Sequence, residues 1–419
     1  MPSSDRRVRL AGVAVLVPTV VALLAACAGA GPASSAGSTT GASAASTTAP
    51  VSKGVSRVAV ELVSGADGDE CRLSHRAAKA GPVTFTVANT SATGITEVEL
   101  VQGQRIVGEK ENLAPGLAPV AFTTTLTGGT YALVCPGAAK DPVPFTVTGT
   151  AAAQTGSDAR SQLTAGTKTY GTYVASTLSD MVTAVQNLRD AVDAGDVTAA
   201  KAKYALARPF YEKVESDVAG FVLPGTDPTD NRGNLDYLVD MRASNLDPAV
   251  GWHGFHAIER DLWQRGRITA STKSLAAELV KNVEKLQSLA KTLTYKPEDL
   301  ANGAAGLLEE VQSGKIKGEE ELYSHLDLVD FAANVEGAQQ AFANLQPGLQ
   351  KIDPALTQQV SARFADVTSA LRAYQDRKQP GGYEAYTSAV KAKDAAALSR
   401  VVESLQEPLS RIAEKVATA

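Results

Sequence analysis

The sequence predicts a multidomain chain, an N-terminal all-β Greek-key sandwich followed by an all-α helical bundle. Three observations carry this expectation. Between residues 55 and 148 apolar residues recur at every second position in short runs; from residue 161 onward they recur at every third or fourth; and a small-residue stretch, 151–157, separates the two patterns. With 419 residues, 44% of them hydrophobic, the chain is long enough for two cores.

The elements follow in chain order. Arg6, Arg7 and Arg9 precede an apolar stretch over residues 10–26 that ends in Leu24, Ala25, Ala26 and Cys27. This ending resembles a bacterial lipobox, which implies that residues 1–27 are a lipoprotein signal peptide with Cys27 acylated. The expectation is an exported protein, held at the outer face of the cytoplasmic membrane by that lipid. Roughly seventeen apolar residues lie at the short limit for a membrane span, and the small residues at their end argue against one. The Arg6-Arg7 pair fits a twin-arginine signal only in part, so the export route stays open. Residues 28–54 are nearly all Ala, Ser, Thr and Gly, too poor in apolar surface to fold, and read as a disordered tether. Loss of three arginines and one aspartate with the signal moves the formal net charge from −5 to −7, which argues against nucleic acid as a partner.

Residues 55–150 hold six predicted strands, at 58–62, 83–87, 98–101, 121–125, 131–134 and 143–147, parted by Gly, Pro, Asn and Asp turns. After a linker at 151–160, residues 161–419 are helical. Tyr170, Val174, Leu178, Met181, Val185, Leu188 and Val192 mark one stripe, and breaks fall at Gly195, 220–224 and Lys296-Pro297.

Two of the four histidines lie with a glutamate in one short run, His253, His256 and Glu259. With Asp247 as N-cap, Pro248 as first helical residue and Gly266 as the stop, the three side chains would recur at i, i+3 and i+6 near one face. Bundle helices build metal sites from such inward imidazoles and carboxylates. A surface i,i+3 pair is the plainer alternative for His256 and Glu259, against which Phe255, Ile258 and Leu262 imply a semi-buried face. His253 reads as a partly exposed helix-start residue. Glu212 and Glu215 form another i,i+3 pair, of a kind charged helix surfaces produce often. Glu319, Glu320 and Glu321 read as solvated charge, and Ser324 with Asp327 as a cap for the next helix, which gives Tyr323 and His325 structural roles. Neither His253 nor His256 is followed by the glutamate that the H-E-x-x-H motif of zinc peptidases requires.

Several runs together extend this reading: ARPFYEKVE at 207–215, LDYLVDMR at 235–242, GFHAIE at 254–259, GEEELYSHLDL at 318–328 and NVEGA at 334–338. Through them the helical half resembles the imelysin family, also classed as peptidase family M75. The sandwich resembles a cupredoxin, and the two together resemble the iron-uptake lipoproteins of that family. The resemblance implies a metal site at His256 and Glu259, joined by Glu212, Glu215 and Asp240. The chain is about three residues shorter than the family pattern between Asp240 and His256, so Asp236 is an alternative. One imidazole with several carboxylates suits iron, Fe2+ or Fe3+, and also Zn2+ in vitro.

The implied function is to capture iron outside the membrane and deliver it to a permease, without enzymatic activity. The implied partners are that iron permease, a dye-decolourising-type haem peroxidase and, through the lipid anchor, the membrane. The alternatives are an M75-type metallopeptidase and a polysaccharide-binding protein. In the sandwich, Cys71 and Cys135 read as a disulfide or, by the same resemblance, as ligands with Glu97 for Cu2+ or Fe3+. With His75 as its one histidine and no methionine, the segment lacks the ligands of a blue-copper centre.

Overall fold

The structure, a computed structural model, describes residues 48–103, 105–151, 156–227 and 230–419; the signal segment, Cys27 and most of the tether lie outside them. Ten strands come first: β1 (Val51–Ser52), β2 (Val55–Gly65), β3 (Gly68–Leu73), β4 (Ala77–Lys79), β5 (Gly81–Asn89), β6 (Val98–Gln102), β7 (Arg105–Lys110), β8 (Val120–Leu126), β9 (Gly129–Val134) and β10 (Val143–Thr148). They form two five-stranded sheets. One runs β1-β2-β5-β8 with β3 also on β2, the other β4-β10-β9-β6-β7. The β2/β5 and β4/β10 pairings are parallel and the others antiparallel. Alternation along β2 buries Val58, Val60 and Leu62 and exposes the residues between them, so one face of the strand enters the core. There Phe85 stacks on Phe122, with centroids 5.1 Å apart, and meets the edge of Phe145 at 5.3 Å. The four strands that periodicity did not predict are short or lie at sheet edges.

Cys71 on β3 and Cys135, just after β9, are joined by a disulfide with Cα atoms 6.3 Å apart, so the bridge ties one sheet to the other. The Glu97 carboxyl has Glu99, Glu310 and Arg242 around it; burial and the neighbouring acids push it well above the usual carboxylate range.

Among the described residues, eleven α-helices follow: α1 (Asp158–Ala194), α2 (Val197–Glu212), α3 (Glu215–Val218), α4 (Leu235–Asp240), α5 (Gly254–Glu259), α6 (Ala270–Ala290), α7 (Pro297–Glu310), α8 (Asp327–Ile352), α9 (Pro354–Arg372), α10 (Ser388–Ser410) and α11 (Ile412–Ala417). Ser157 caps α1 by accepting from the Arg160 amide at 3.1 Å, and Gly195, at φ 76°, ends it. The whole stripe from Tyr170 to Val192 is buried against α2, α6 and α8.

The sandwich and the bundle pack as one unit. Lys110 bridges to Glu309 at 2.6 Å and Arg57 to Glu414 at 2.6 Å. The Asn302 amide donates to the Thr123 carbonyl at 2.6 Å, and the Thr125 amide to Glu298 at 3.1 Å. Among the described residues no helix is long and apolar enough to cross a membrane.

One predicted helix begins later than expected. Asp247 and Pro248 open a turn closed by the Gly251 amide on the Asp247 carbonyl, 2.8 Å, and α5 starts only at Gly254. His253 is the extended residue before it, at φ −134° and ψ 176°, so it shares no helical face with His256; its Nδ1 lies 3.0 Å from Glu278 instead. After Glu259 the helix widens into a π-turn over Arg260–Gln264. Asp327 is the first residue of α8, but Leu326 holds the cap position and Ser324 bonds to Glu321.

Candidate metal centre

Two short helices bring the central pair together. Asn234 caps α4 by accepting from the amides of Asp236 and Tyr237, which places Asp240 in the last turn. Gly254 starts α5 at φ 65° directly over α4; a Cβ there would stand 2.0 Å from the Val239 carbonyl oxygen, so only glycine permits the approach. Two residues on, His256 is buried with its Nε2 3.5 Å from Asp240 Oδ1 and 3.5 Å from Glu320 Oε1. That nitrogen has no hydrogen-bond partner. On the other side of the ring, Nδ1 lies 3.2 Å from Glu259 Oε2 and 3.9 Å from Glu321 Oε1. Glu259 is itself fixed, its Oε1 accepting from the amides of Tyr323 and Ser324 at 2.7 Å each.

Glu320 and Glu321 are therefore not solvated. Both are fully buried, carried by the non-helical turn between Lys315 and α8. A run of three glutamates in polar sequence carries no periodicity to reveal this. The available signal was Gly318, at φ 66°, which turns the chain back toward the bundle.

Around this core lies a charge network that the sequence reading left unassigned. Arg208, wholly buried on α2, bonds to Glu212 and Asp240 and reaches Glu321 at 3.1 Å, Asp330 at 3.2 Å and Glu320 at 3.3 Å. Lys315, also buried, lies 3.0 Å from Glu212, 3.4 Å from Glu320 and 3.9 Å from Glu215. Among the expected ligands, then, Asp240 and Glu259 stand beside His256, while Glu212 and Glu215 stand beside the cations. Asp236 accepts from the Tyr211 hydroxyl.

The electrostatics follow from burial and these neighbours. Burial alone would lower His256, but its contacts with Asp240, Glu259 and Glu320 raise it well above the ordinary imidazole value. Burial alone would raise Glu320, but Lys315, Arg242 and His256 hold it well below the carboxylate range. Burial and the Glu259 charge push Glu321 up to about 8. Two groupings in this cluster have ligand atoms close enough to share one ion: Asp240, His256 and Glu320, and His256, Glu259 and Glu321. An imidazole flanked by carboxylates can take a divalent or trivalent cation in exchange for the imidazole proton.

The family model described as Imelysin, Peptidase_M75, matches residues 166–412. The iron uptake system component EfeO of Escherichia coli K12 is 33% identical over 347 residues, covering 82% of this chain and 88% of that protein; the EfeO of Shigella flexneri matches to the same extent. Among solved structures, an iron-regulated protein A precursor from Parabacteroides distasonis aligns at TM-score 0.46 and 14% identity, over 63% of this chain and 96% of its own. Rusticyanin from Thiobacillus ferrooxidans aligns at TM-score 0.21 and 17% identity, over 25% of this chain and 88% of its own. On the family match and the identity to these relatives, the chain belongs to the imelysin family, peptidase M75.

Proposed function

We propose that the protein is an extracytoplasmic iron-binding component of an iron uptake system, which captures iron at His256 and delivers it to a membrane permease. The observation that carries this is the His256 Nε2: buried, without a hydrogen-bond partner, and equidistant from carboxylate oxygens of Asp240 and Glu320. The relatives are named as iron uptake components, which supports iron as the cargo. Asp240, His256 and Glu320 would hold the ion. Glu259 would hold the ring by Nδ1, the orienting role that carboxylates commonly play behind metal-binding histidines. Arg208 touches Asp240 and Glu320 as well, so it compensates the two ligands when iron leaves. Iron has to compete with it for their oxygens, which favours a site that can release its cargo.

The iron permease and the haem peroxidase of such a system are the proposed partners, and acylated Cys27 the proposed anchor. The runner-up, peptidase chemistry, lacks a second histidine at the centre, since His253 turns to Glu278.

Calorimetric iron titration tests the assignment. Replacing a ligand, as in His256→Ala or Glu320→Gln, should weaken binding by at least tenfold. Glu259→Gln should cost about 10–100-fold through the misplaced ring. Arg260→Ala, whose guanidinium stacks 4.1 Å over Trp252, should change little. Unchanged affinity in His256→Ala would move the site elsewhere.

A further inference from the structure

The carboxylate that comes from a turn, Glu320, is held from behind. Its Oε1 faces His256 and Arg208, while Oε2 faces two other cations, Arg242 at 3.3 Å and Lys315 at 3.4 Å. Lys315 is already engaged, 3.0 Å from Glu212. Arg242, two residues beyond Asp240, is shared differently. The nitrogen that reaches Glu320, Nη1, also lies 2.7 Å from Glu310 Oε2 at the end of α7, and the buried Nε has no partner. A guanidinium gripped as a fork is fixed in orientation, whereas one held by a single nitrogen between two carboxylates can favour either through a small swing. Gly314 leaves room for the contact, since a Cβ there would stand 2.9 Å from Glu320 Oε2 and 3.6 Å from Arg242 Nη1.

The competing carboxylate is kept charged. Burial would raise Glu310, but Arg242 and a hydrogen bond from Glu111 of the sandwich bring it down to about 2. Glu111 moves the other way, pushed well above the usual carboxylate range by the Glu310 charge and by burial. The proton therefore sits on the sandwich side and the negative charge faces Arg242. An ion at Glu320 Oε1 and the guanidinium at Oε2 are two positive charges beside one carboxylate, and they oppose each other.

We propose that Glu310 holds Arg242 away from Glu320 and thereby sets how tightly the centre keeps its iron. Iron at His256 drives the arginine toward Glu310, and by linkage a firmer Glu310–Arg242 pair strengthens iron binding. This rests on the iron site proposed at His256. Glu310 is a positioning residue: it acts on the ion only through Arg242 and Glu320, and through Glu111 it connects the sandwich to the centre. Arg242 is not needed to place Glu320, because Arg208 and Lys315 contact its two oxygens independently.

A double-mutant cycle on the whole protein tests this, read by calorimetric iron titration and by the rate of iron loss to a chelator. Glu310→Gln keeps the shape and removes the charge. Arg242 should then fall back on Glu320, weakening iron binding by about fivefold or more and speeding iron loss. Arg242→Met should bind at least as tightly as the wild type, and the double variant should bind like Arg242→Met, since no arginine is left to restrain. A residue that only supported the fold would not be rescued in this way. Far-UV spectra check folding, and Glu310→Asp, whose shorter side chain draws the carboxylate back from Nη1, serves if Glu310→Gln does not fold. The proposal is overturned if Glu310→Gln binds iron as the wild type does, if Arg242→Met binds more weakly than the wild type, or if the double variant is as weak as Glu310→Gln. Any of these with iron binding lost in His256→Ala leaves the His256 reading standing; unchanged affinity in His256→Ala would overturn that reading and this proposal with it.

Discussion

The two domains keep their charge in opposite places. The sandwich core is apolar, built on Phe85, Phe122, Phe145 and aliphatic residues around a disulfide; of its buried charged side chains, Lys110 bridges to Glu309 of the bundle. The bundle instead buries Arg208, Lys315, His256 and a group of carboxylates in its interior. Burying ions costs several kcal/mol each before pairing, and apolar substitutes of equal size often stabilise as well or better. A packing requirement therefore does not account for the bundle's centre, whereas it accounts for the apolar core of the sandwich. Charge gathered at that cost, with a histidine nitrogen left unbonded, is what supports the iron site proposed at His256.

The sharpest way to break this comparison is to remove the charge that the bundle depends on. Arg208→Met would take a shared cation from Glu212, Asp240, Glu320, Glu321 and Asp330, and should destabilise by about 3–5 kcal/mol, read from denaturant midpoints. A loss under about 1 kcal/mol would mean that the carboxylates are compensated in another way. Next comes the sandwich's covalent tie. Cys71→Ser with Cys135→Ser opens a loop of 64 residues and should cost about 2–4 kcal/mol, while iron affinity at His256 stays as in the wild type. A parallel fall in iron affinity would show that the disulfide region contributes to iron binding.

The smallest effect is one of pH. Burial pushes Asp327 up to about 7, although the Glu321 amide pulls it the other way. Its unfolded value is about 3.9, so between these values the folded chain binds more protons than the unfolded one. The cost of the buried carboxylate is absent below pH 4 and complete above pH 7. Asp327→Asn should therefore gain on the wild type by about 1–3 kcal/mol between pH 4 and pH 8, measured as the difference of two urea-unfolding series. A constant difference across that range would place the titration elsewhere.

How much of this could be read in the sequence depended on periodicity. The α1 stripe and the six main strands repeat regularly, and the structure has them. Of the strands that periodicity missed, β1 and β4 are too brief to repeat, and β3 and β7 do not alternate in burial. The start of α5 was misplaced because Asp247-Pro248 is an equally good opening for a turn, and the Gly251 closure that decides between them is a long way from any sequence rule. His256, Glu259 and Asp240 were legible through the family pattern. Glu320, Glu321, Arg208 and Lys315 were not, because a charged residue shows its burial only through what surrounds it, and their surroundings come from α2, α4, α5 and the turn before α8.

The contact of Gly254 with the Val239 carbonyl bears on ionic size. Backbone rests on backbone between α4 and α5, so Asp240 and His256 form a jaw of fixed opening: no side chain lies between them to compress or extend. Glu320, by contrast, comes from a turn. If iron binds as proposed, an ion of larger radius would have to be accommodated at that third carboxylate, and selectivity among metals would then reside in the segment around Gly318 rather than in the histidine helix itself.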